Sequence, residues 1–285
     1  MTQGSTVKRR LLAELWERDA DYYRRAREHV SALASGGGEY QWLKGWLPSR
    51  GRVLDVGCGD GVHFDVLGRA DLEWFGCDLS RLGVALAAER ARSDRRPALV
   101  VADAEALPFA DGAFDGILAV SVLEHLTDPE RALDGMIAAL APGGRLLLLS
   151  PQYGGPLGAS PSRRGGGSAR FLERLVRAHR SPPDGRSLGW ERVEPAVLDG
   201  QPYEGDRDAV VEPELRSLVR FLSRRGLRIL DATSGLSWHS WREGRMSPGQ
   251  WIARSVLEPI GRAGIRPYRD FGPLIAVCAA RAEPP

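Results

Sequence analysis

From residue 52 onward, short apolar runs recur along the chain: "RVLDV", "EWFGC", "ALVVA", "FDGILAV" and "GRLLLLS". Each is of strand length, and helical patterns such as "RLGVALAAERAR" and "PERALDGMIAAL" lie between them. Strands alternating with helices predict a parallel sheet covered on both faces. The near-continuous hydrophobicity of "GRLLLLS" predicts a strand buried on both sides. Ahead of this region, residues 8 to 34 carry helical spacing, with Leu11, Leu12, Leu15, Trp16, Tyr22, Tyr23 and Ala26 on a recurring face. "SGGGE" interrupts it, and "YQWLKGWLP" predicts a second short helix stopped by Pro48. Trp42, Trp46 and Tyr22 read as core residues of these amphipathic helices.

After Pro151 the rhythm lapses for about sixty residues, in which only "ARFLERLVRAHR" has helical spacing. It then resumes with a helix at "PELRSLVRFLSRRG", a strand at "LRILDATS", a helix at "PGQWIARSVLEPIGRAG" and a last strand at "GPLIAVCAARA". The expected organisation is a helical cap over residues 1–50, a core over 51–151, an insertion over 152–211 and the rest of the core over 212–285. There are no internal repeats.

Composition narrows the function classes. A length of 285 residues suits one domain with insertions. A net charge of +2 gives no global argument for nucleic acid or an anionic membrane. Arginine supplies nearly all the positive charge, Lys8 and Lys44 being the only lysines. Three scattered cysteines, Cys58, Cys77 and Cys278, predict neither a disulfide framework nor a metal site. No signal peptide and no apolar run of the ~18 residues a membrane span needs is evident, so a cytoplasmic protein is expected.

The candidate chemistry centres on "RVLDVGCGDG", residues 52–61. Glycines at 57, 59 and 61 between a strand and a helix allow a ligand and backbone amides to approach closely. The dinucleotide fingerprint requires Gly-x-Gly-x-x-Gly, and Val62 occupies the sixth position here. A nicotinamide dehydrogenase is disfavoured on that spacing.

Through this loop and the segments C-terminal to it, the chain resembles class I S-adenosylmethionine-dependent methyltransferases. "VLDVGCGDG" is similar to the loop beneath the methionine part of the cofactor, and "GCDLS" to the acid that ends the second strand. "VADAEALPFADGAFDGILAV", "SVLEHL" and "LAPGGRLLLLSP" resemble the later landmarks. The resemblance is close over residues 50–151, loose over 212–281 and absent over 152–210. It implies a Rossmann-like α/β fold, a doubly wound sheet of about seven strands with the last antiparallel, a helical N-terminal cap and a long insertion after the fifth strand. It implies that Asp78 and Leu79 meet the ribose, Asp78 taking both hydroxyls, and that Asp103 and Ala104 meet the adenine. It further implies that Asp55, Gly57, Cys58, Gly59 and Gly61 form the loop, and that Val120 and Ser121 flank the reacting sulfonium.

Plainer readings stand beside these. Asp55 also reads as an acid capping the glycine turn, Asp103 as a turn acid, Asp115 as structural and Cys58 as a small residue that fits. Ser80 is a better helix N-cap than Asp78.

Methyl transfer needs positioning first. A base is required only when the acceptor must lose a proton. His125, just after the fourth strand, is the first candidate base and His239, in "LSWHSW", the second; His29, His63 and His179 read as surface or structural. The Asn/Asp-Pro-Pro-Tyr pattern of adenine or glutamine amino-group methylation is absent after the fourth strand. The expected activity is therefore methylation of a small-molecule acceptor, with a hydroxyl leading and glycolipid-like or secondary-metabolite substrates in view. Carbon methylation of a quinone or polyketide ring, and a catalytically idle S-adenosylmethionine-binding protein, are the alternatives. No metal, nucleic acid or membrane span is expected, and a homodimer is left open. Residues 1–47 and 152–210 are expected to form a lid over the acceptor, because Phe171, Leu172, Leu175, Val176, Trp190 and Tyr203 need a surface to cover.

Overall fold

The computed structural model describes residues 3–18, 20–36, 38–91, 96–156, 158, 160–162, 172–176, 184–195, 207–235, 255–256, 259–260, 263, 265 and 268–283. Its main sheet has seven strands: β1 (Gly51–Val56), β2 (Leu72–Asp78), β3 (Ala98–Val101), β4 (Phe114–Val120), β5 (Leu140–Pro151), β8 (Leu227–Thr233) and β9 (Leu274–Arg281), in the order β3-β2-β1-β4-β5-β9-β8. A separate two-stranded ribbon pairs β6 (Glu191–Arg192) with β7 (Val211–Glu212). The sheet is mostly parallel with one antiparallel strand, the Rossmann-like arrangement expected. The reversal of strand order lies at β1, which pairs in parallel with both β2 and β4. Ligands in such sheets bind at the carboxyl ends around that reversal.

Strand burial follows the predicted pattern. In β1 the segment Val53–Val56 is fully buried, and in β5 Leu146, Leu147 and Leu148 are wholly inaccessible. β5 begins at Leu140, ahead of the expected start, and runs through Pro142 and Gly143, the latter in the left-handed region at φ 74°. Four predicted helices are present as α3 (Gly38–Trp46), α5 (Arg81–Arg90), α6 (Pro129–Ala139) and α7 (Leu215–Arg224), with α4 (Val62–Val66) directly after the glycine loop, while those expected at "ARFLERLVRAHR" and "PGQWIARSVLEPIGRAG" lie largely outside the described residues. Two are capped as their sequences demand: Ser80 Oγ accepts from Gly83 N, and Asp128 accepts from Arg131 N ahead of Pro129.

The N-terminal stretch that reads as one helix is two, α1 (Gln3–Trp16) and α2 (Ala20–Gly36). Tertiary hydrogen bonds gather at the break. Glu17 accepts from Arg81 N at 2.5 Å and Leu82 N at 3.1 Å, and the Trp16 carbonyl accepts from Ser80 Oγ at 3.4 Å. The end of α1 is thereby fastened to the start of α5.

Contacts divide the chain into two compact units, one made of Met1–Val122, Leu126–Leu148 and Cys278–Pro285, the other of Leu123–His125 and Leu149–Val277. In the first, Arg281 donates to the carbonyls of Ala138 and Leu140 at 3.1 and 2.5 Å, holding the end of β9 to the α6–β5 corner. In the second, Gln152 donates to the carbonyls of Asp270 and Gly272 and accepts from Leu215 N.

The stretch after β5 departs from the unstructured insertion its composition suggests. Arg174 is 6% exposed and donates to the carbonyls of Tyr153, Gly155 and Gly158 and to the fully buried Glu212. It also lies 3.5 Å from Glu191, which faces Glu212 across the β6–β7 ribbon. One guanidinium thus neutralises two acids that would otherwise repel across the ribbon. Leu172 and Val176, expected to cover an apolar surface, are exposed, Leu175 is half-buried, and Trp190 donates its indole N–H to Ser217 Oγ. Phe171, His179 and Tyr203 lie outside the described residues.

Candidate cofactor site

The loop after β1 shows why the sequence spends three glycines there. Gly57, Gly59 and Gly61 all have φ between 50° and 77°, where a side chain is strained. A Cβ at Gly57 would stand 2.4 Å from Val122 Cγ2, so the turn excludes any other residue sterically as well. Gly59 differs: a Cβ there would meet only the ring of Tyr23, at 3.6 Å. The amides expected to face a ligand are spent inside the turn. Gly57 N and Cys58 N donate to the Cys77 carbonyl, Gly61 N to the Cys58 carbonyl, and Gly59 N to Asp78 Oδ2. The glycines supply clearance rather than free donors.

Asp78 ends β2 at this turn. Its Oδ2 accepts from Gly59 N and its Oδ1 from Ser80 N, both at 2.8 Å, while the residue stays partly exposed. A carboxylate oxygen has two acceptor positions. Each oxygen therefore retains one acceptor position, the pair a vicinal diol requires. Burial raises the carboxyl, the two N–H bonds only partly offset it, and the result is about 6. Asp103 caps the turn that starts at Ala104 by accepting from Glu105 N, and both Asp103 and Ala104 are partly exposed. The buried Glu105 fastens this corner, accepting from Thr127 Oγ1 and Asp128 N. Leu79 and Val120 are half-buried, and Ser121 is exposed at the end of β4. Among the described residues, Ser121 alone combines a side chain with a positive φ, 53°. Such backbone strain costs about 1–3 kcal/mol and clusters at functional sites.

Asp55 is wholly buried behind the loop. Its Oδ2 pairs with His63 Nδ1 at 2.9 Å, and His63 Nε2 with the Tyr40 hydroxyl at 3.2 Å. His63 is therefore structural, and its buried string supports the glycine turn from below. Cys58 is buried with its Sγ against the face of Gly76, where a Cβ would stand 2.9 Å away. Burial pushes the thiols of Cys58 and Cys77 up, so both are unreactive at neutral pH. Asp115 is structural, accepting from Arg52 N.

His125 belongs to the second unit, where it lies 3.7 Å from Glu124 Oε1 and 3.6 Å from Asp208 Oδ1, two wholly buried carboxylates. Glu124 also accepts from Ser150 Oγ, and its carbonyl accepts from Val210 N. Sequence reasoning singles out His125 as a candidate and names neither acid. Asp208 closes an irregular stretch with no pattern to flag it. His239 lies outside the described residues. Among the described residues no group of three or more His, Cys, Asp or Glu could hold a metal ion, and no helix is long and apolar enough to cross a membrane.

A protein family described as "methyltransferase domain" matches residues 54–148. A protein of Aspergillus nomiae named O-methyltransferase rstn1 is 37% identical over 101 residues, 34% of this chain and 45% of that protein. The demethylmenaquinone methyltransferase of Renibacterium salmoninarum is 36% identical over 97 residues, 34% of this chain and 40% of that protein. The chain spans about half or less of the length of the curated relatives it matches. Among solved structures, the S-adenosylmethionine-dependent methyltransferase of Mesorhizobium loti aligns over 87% of this chain and 100% of its own, at 20% identity and a TM-score of 0.56, a likeness of fold.

Proposed function

We propose that this chain, which carries a methyltransferase domain of the S-adenosylmethionine-dependent class over residues 54–148, transfers a methyl group to a hydroxyl of a small molecule. The observation that carries the reading is Asp78, a carboxylate at the end of β2 held by two backbone N–H groups with one acceptor position left on each oxygen. That arrangement fits the ribose diol of S-adenosylmethionine. Asp103 and Ala104 fit its adenine, and the turn at Gly57 and Gly59 fits its methionine part. When bound, S-adenosylmethionine supplies a methyl group already activated by its sulfonium.

What remains for the protein is to position the acceptor and take its proton. His125 suits that second task. The buried carboxylates of Glu124 and Asp208 lie on either side of its ring, and an unperturbed imidazole accepts a proton near neutral pH. A hydroxyl acceptor needs such a base. The substrate is read as a small molecule because the net charge of +2 offers no phosphate track.

Incubation with methyl-labelled S-adenosylmethionine and a panel of phenols, sugars and quinones tests the proposal. Label on oxygen supports it. Label on a ring carbon replaces it with the carbon-methylation reading, and cofactor binding without label transfer replaces it with an idle binding protein.

A further inference from the structure

The N-terminal helices meet the first unit at the proposed cofactor residues themselves. Tyr23, on α2, is 4% exposed, and its ring lies over the turn: Cβ positions on Gly59 and Gly83 would stand 3.6 and 3.1 Å from it. Burial and the nearby charge of Asp78 push its hydroxyl up, and the Ser80 side chain is its hydrogen-bond neighbour. One turn further along α2, Arg27 donates through Nε to Asp60 Oδ2 and through Nη1 to Asp65 Oδ2, both at 2.7 Å, and through Nη2 to the Asp60 carbonyl at 3.1 Å. Asp60, between Gly59 and Gly61, also receives Arg90. At the end of α1, Glu17 caps α5 immediately after Asp78, Leu79 and Ser80.

Two features make this docking reversible. The clear face of Gly59 is covered by the Tyr23 ring. Among the described side chains of α1 and α2, Leu12 and Tyr23 are buried and the apolar Leu15, Trp16, Tyr22 and Ala26 are only half-buried. The remaining fastenings are polar, and segments with few buried apolar contacts open at low cost.

We infer that α1 and α2 form a gate on the cofactor site, with Tyr23 seated over the glycine turn and Arg27 and Glu17 as its fastenings, so that cofactor and product exchange only when the pair undocks. This differs from a cover over the acceptor, and it rests on the reading of Asp78 and the glycine turn as the cofactor site. A gate slows entry and exit together. Its loss therefore raises both rates and leaves affinity comparatively unchanged, whereas a fixed wall contact acts on release.

The test is surface plasmon resonance of S-adenosylhomocysteine on the full chain, with folding of each variant checked by circular dichroism. Arg27→Ala and Tyr23→Ala should each raise the association and dissociation rate constants by about tenfold or more, the scale of losing a hydrogen bond to a charged group. Glu17→Gln should do so to a smaller extent. In the wild type, added salt should speed both rates by screening the more exposed Arg27–Asp65 pair, which keeps the test valid if a variant fails to fold. Rates unchanged by both the substitutions and salt, or faster dissociation with wild-type association, would overturn the gate while leaving the cofactor reading intact. Absence of S-adenosylhomocysteine binding in the wild type would overturn both.

Discussion

Replacing Asp78 by Asn removes the charge that the proposed ribose contact uses while keeping the side chain's size. The amide oxygen can still accept from one of Gly59 N and Ser80 N, but the amide nitrogen then faces the other donor and has no acceptor position for a diol. Hydrogen bonds to a charged group are worth about 1.5–3 kcal/mol, so S-adenosylhomocysteine affinity should fall about 10- to 150-fold. The pH dependence is a sharper signature. With the carboxyl at about 6, only about one protein in eleven carries the carboxylate at about pH 5, so affinity there should be about tenfold below its plateau near pH 7.5. The same shift has a stability consequence. Because the folded-state value lies above the usual 3.8, ionising Asp78 costs stability as pH rises through about 6, and a ligand that prefers the carboxylate recovers part of it. Calorimetric titration between pH 5 and 8 measures the effect. A wild type with flat affinity across this range, or an Asp78→Asn protein with wild-type affinity, would refute the assignment.

Other positions give independent checks. Gly57→Ala should destabilise the fold strongly, because φ 72° is combined with a 2.4 Å approach to Val122, whereas Gly59→Ala should cost only the left-handed penalty of about 1–2 kcal/mol; denaturant unfolding compares them. Arg174→Ala leaves Glu212 buried without its partner and should cost about 3–5 kcal/mol in the same assay, and a loss below about 1 kcal/mol would show that the ribbon does not depend on this pair. His125→Ala should lower turnover roughly 10²–10⁴-fold with cofactor affinity unchanged, and Asp208→Asn, beside the ring, should lower it less; steady-state kinetics compares them.

The parts of this protein that could be read from the sequence are those whose cause is local. Gly57, Gly59 and Gly61 announced a turn in the left-handed region because few other residues tolerate it. The apolar runs of β1, β4 and β5 announced buried strands, and Ser80 a helix start. Residues that depend on distant chain segments carried no such mark. Tyr23 looked like one more apolar position on a helix, and only its packing on Gly59 and Gly83 sets it apart. Arg174 is one of several arginines in "ARFLERLVRAHR" with nothing to set it apart, but five acceptors converge on it. The strands at Glu191–Arg192 and Val211–Glu212 are two residues each, too short to generate a period. Asp208 meets His125 only through the path of the chain after β5.

The central claim is methyl transfer to a small-molecule hydroxyl by a protein whose cofactor is held at Asp78. Its most direct measurement is product analysis after incubation of the full chain with methyl-labelled S-adenosylmethionine and the acceptor panel, wild type beside Asp78→Asn. Labelled methyl ether from the wild type, with transfer at subsaturating cofactor reduced in Asp78→Asn, is the predicted result. Cofactor bound by the wild type with no label transferred to any hydroxyl would contradict it.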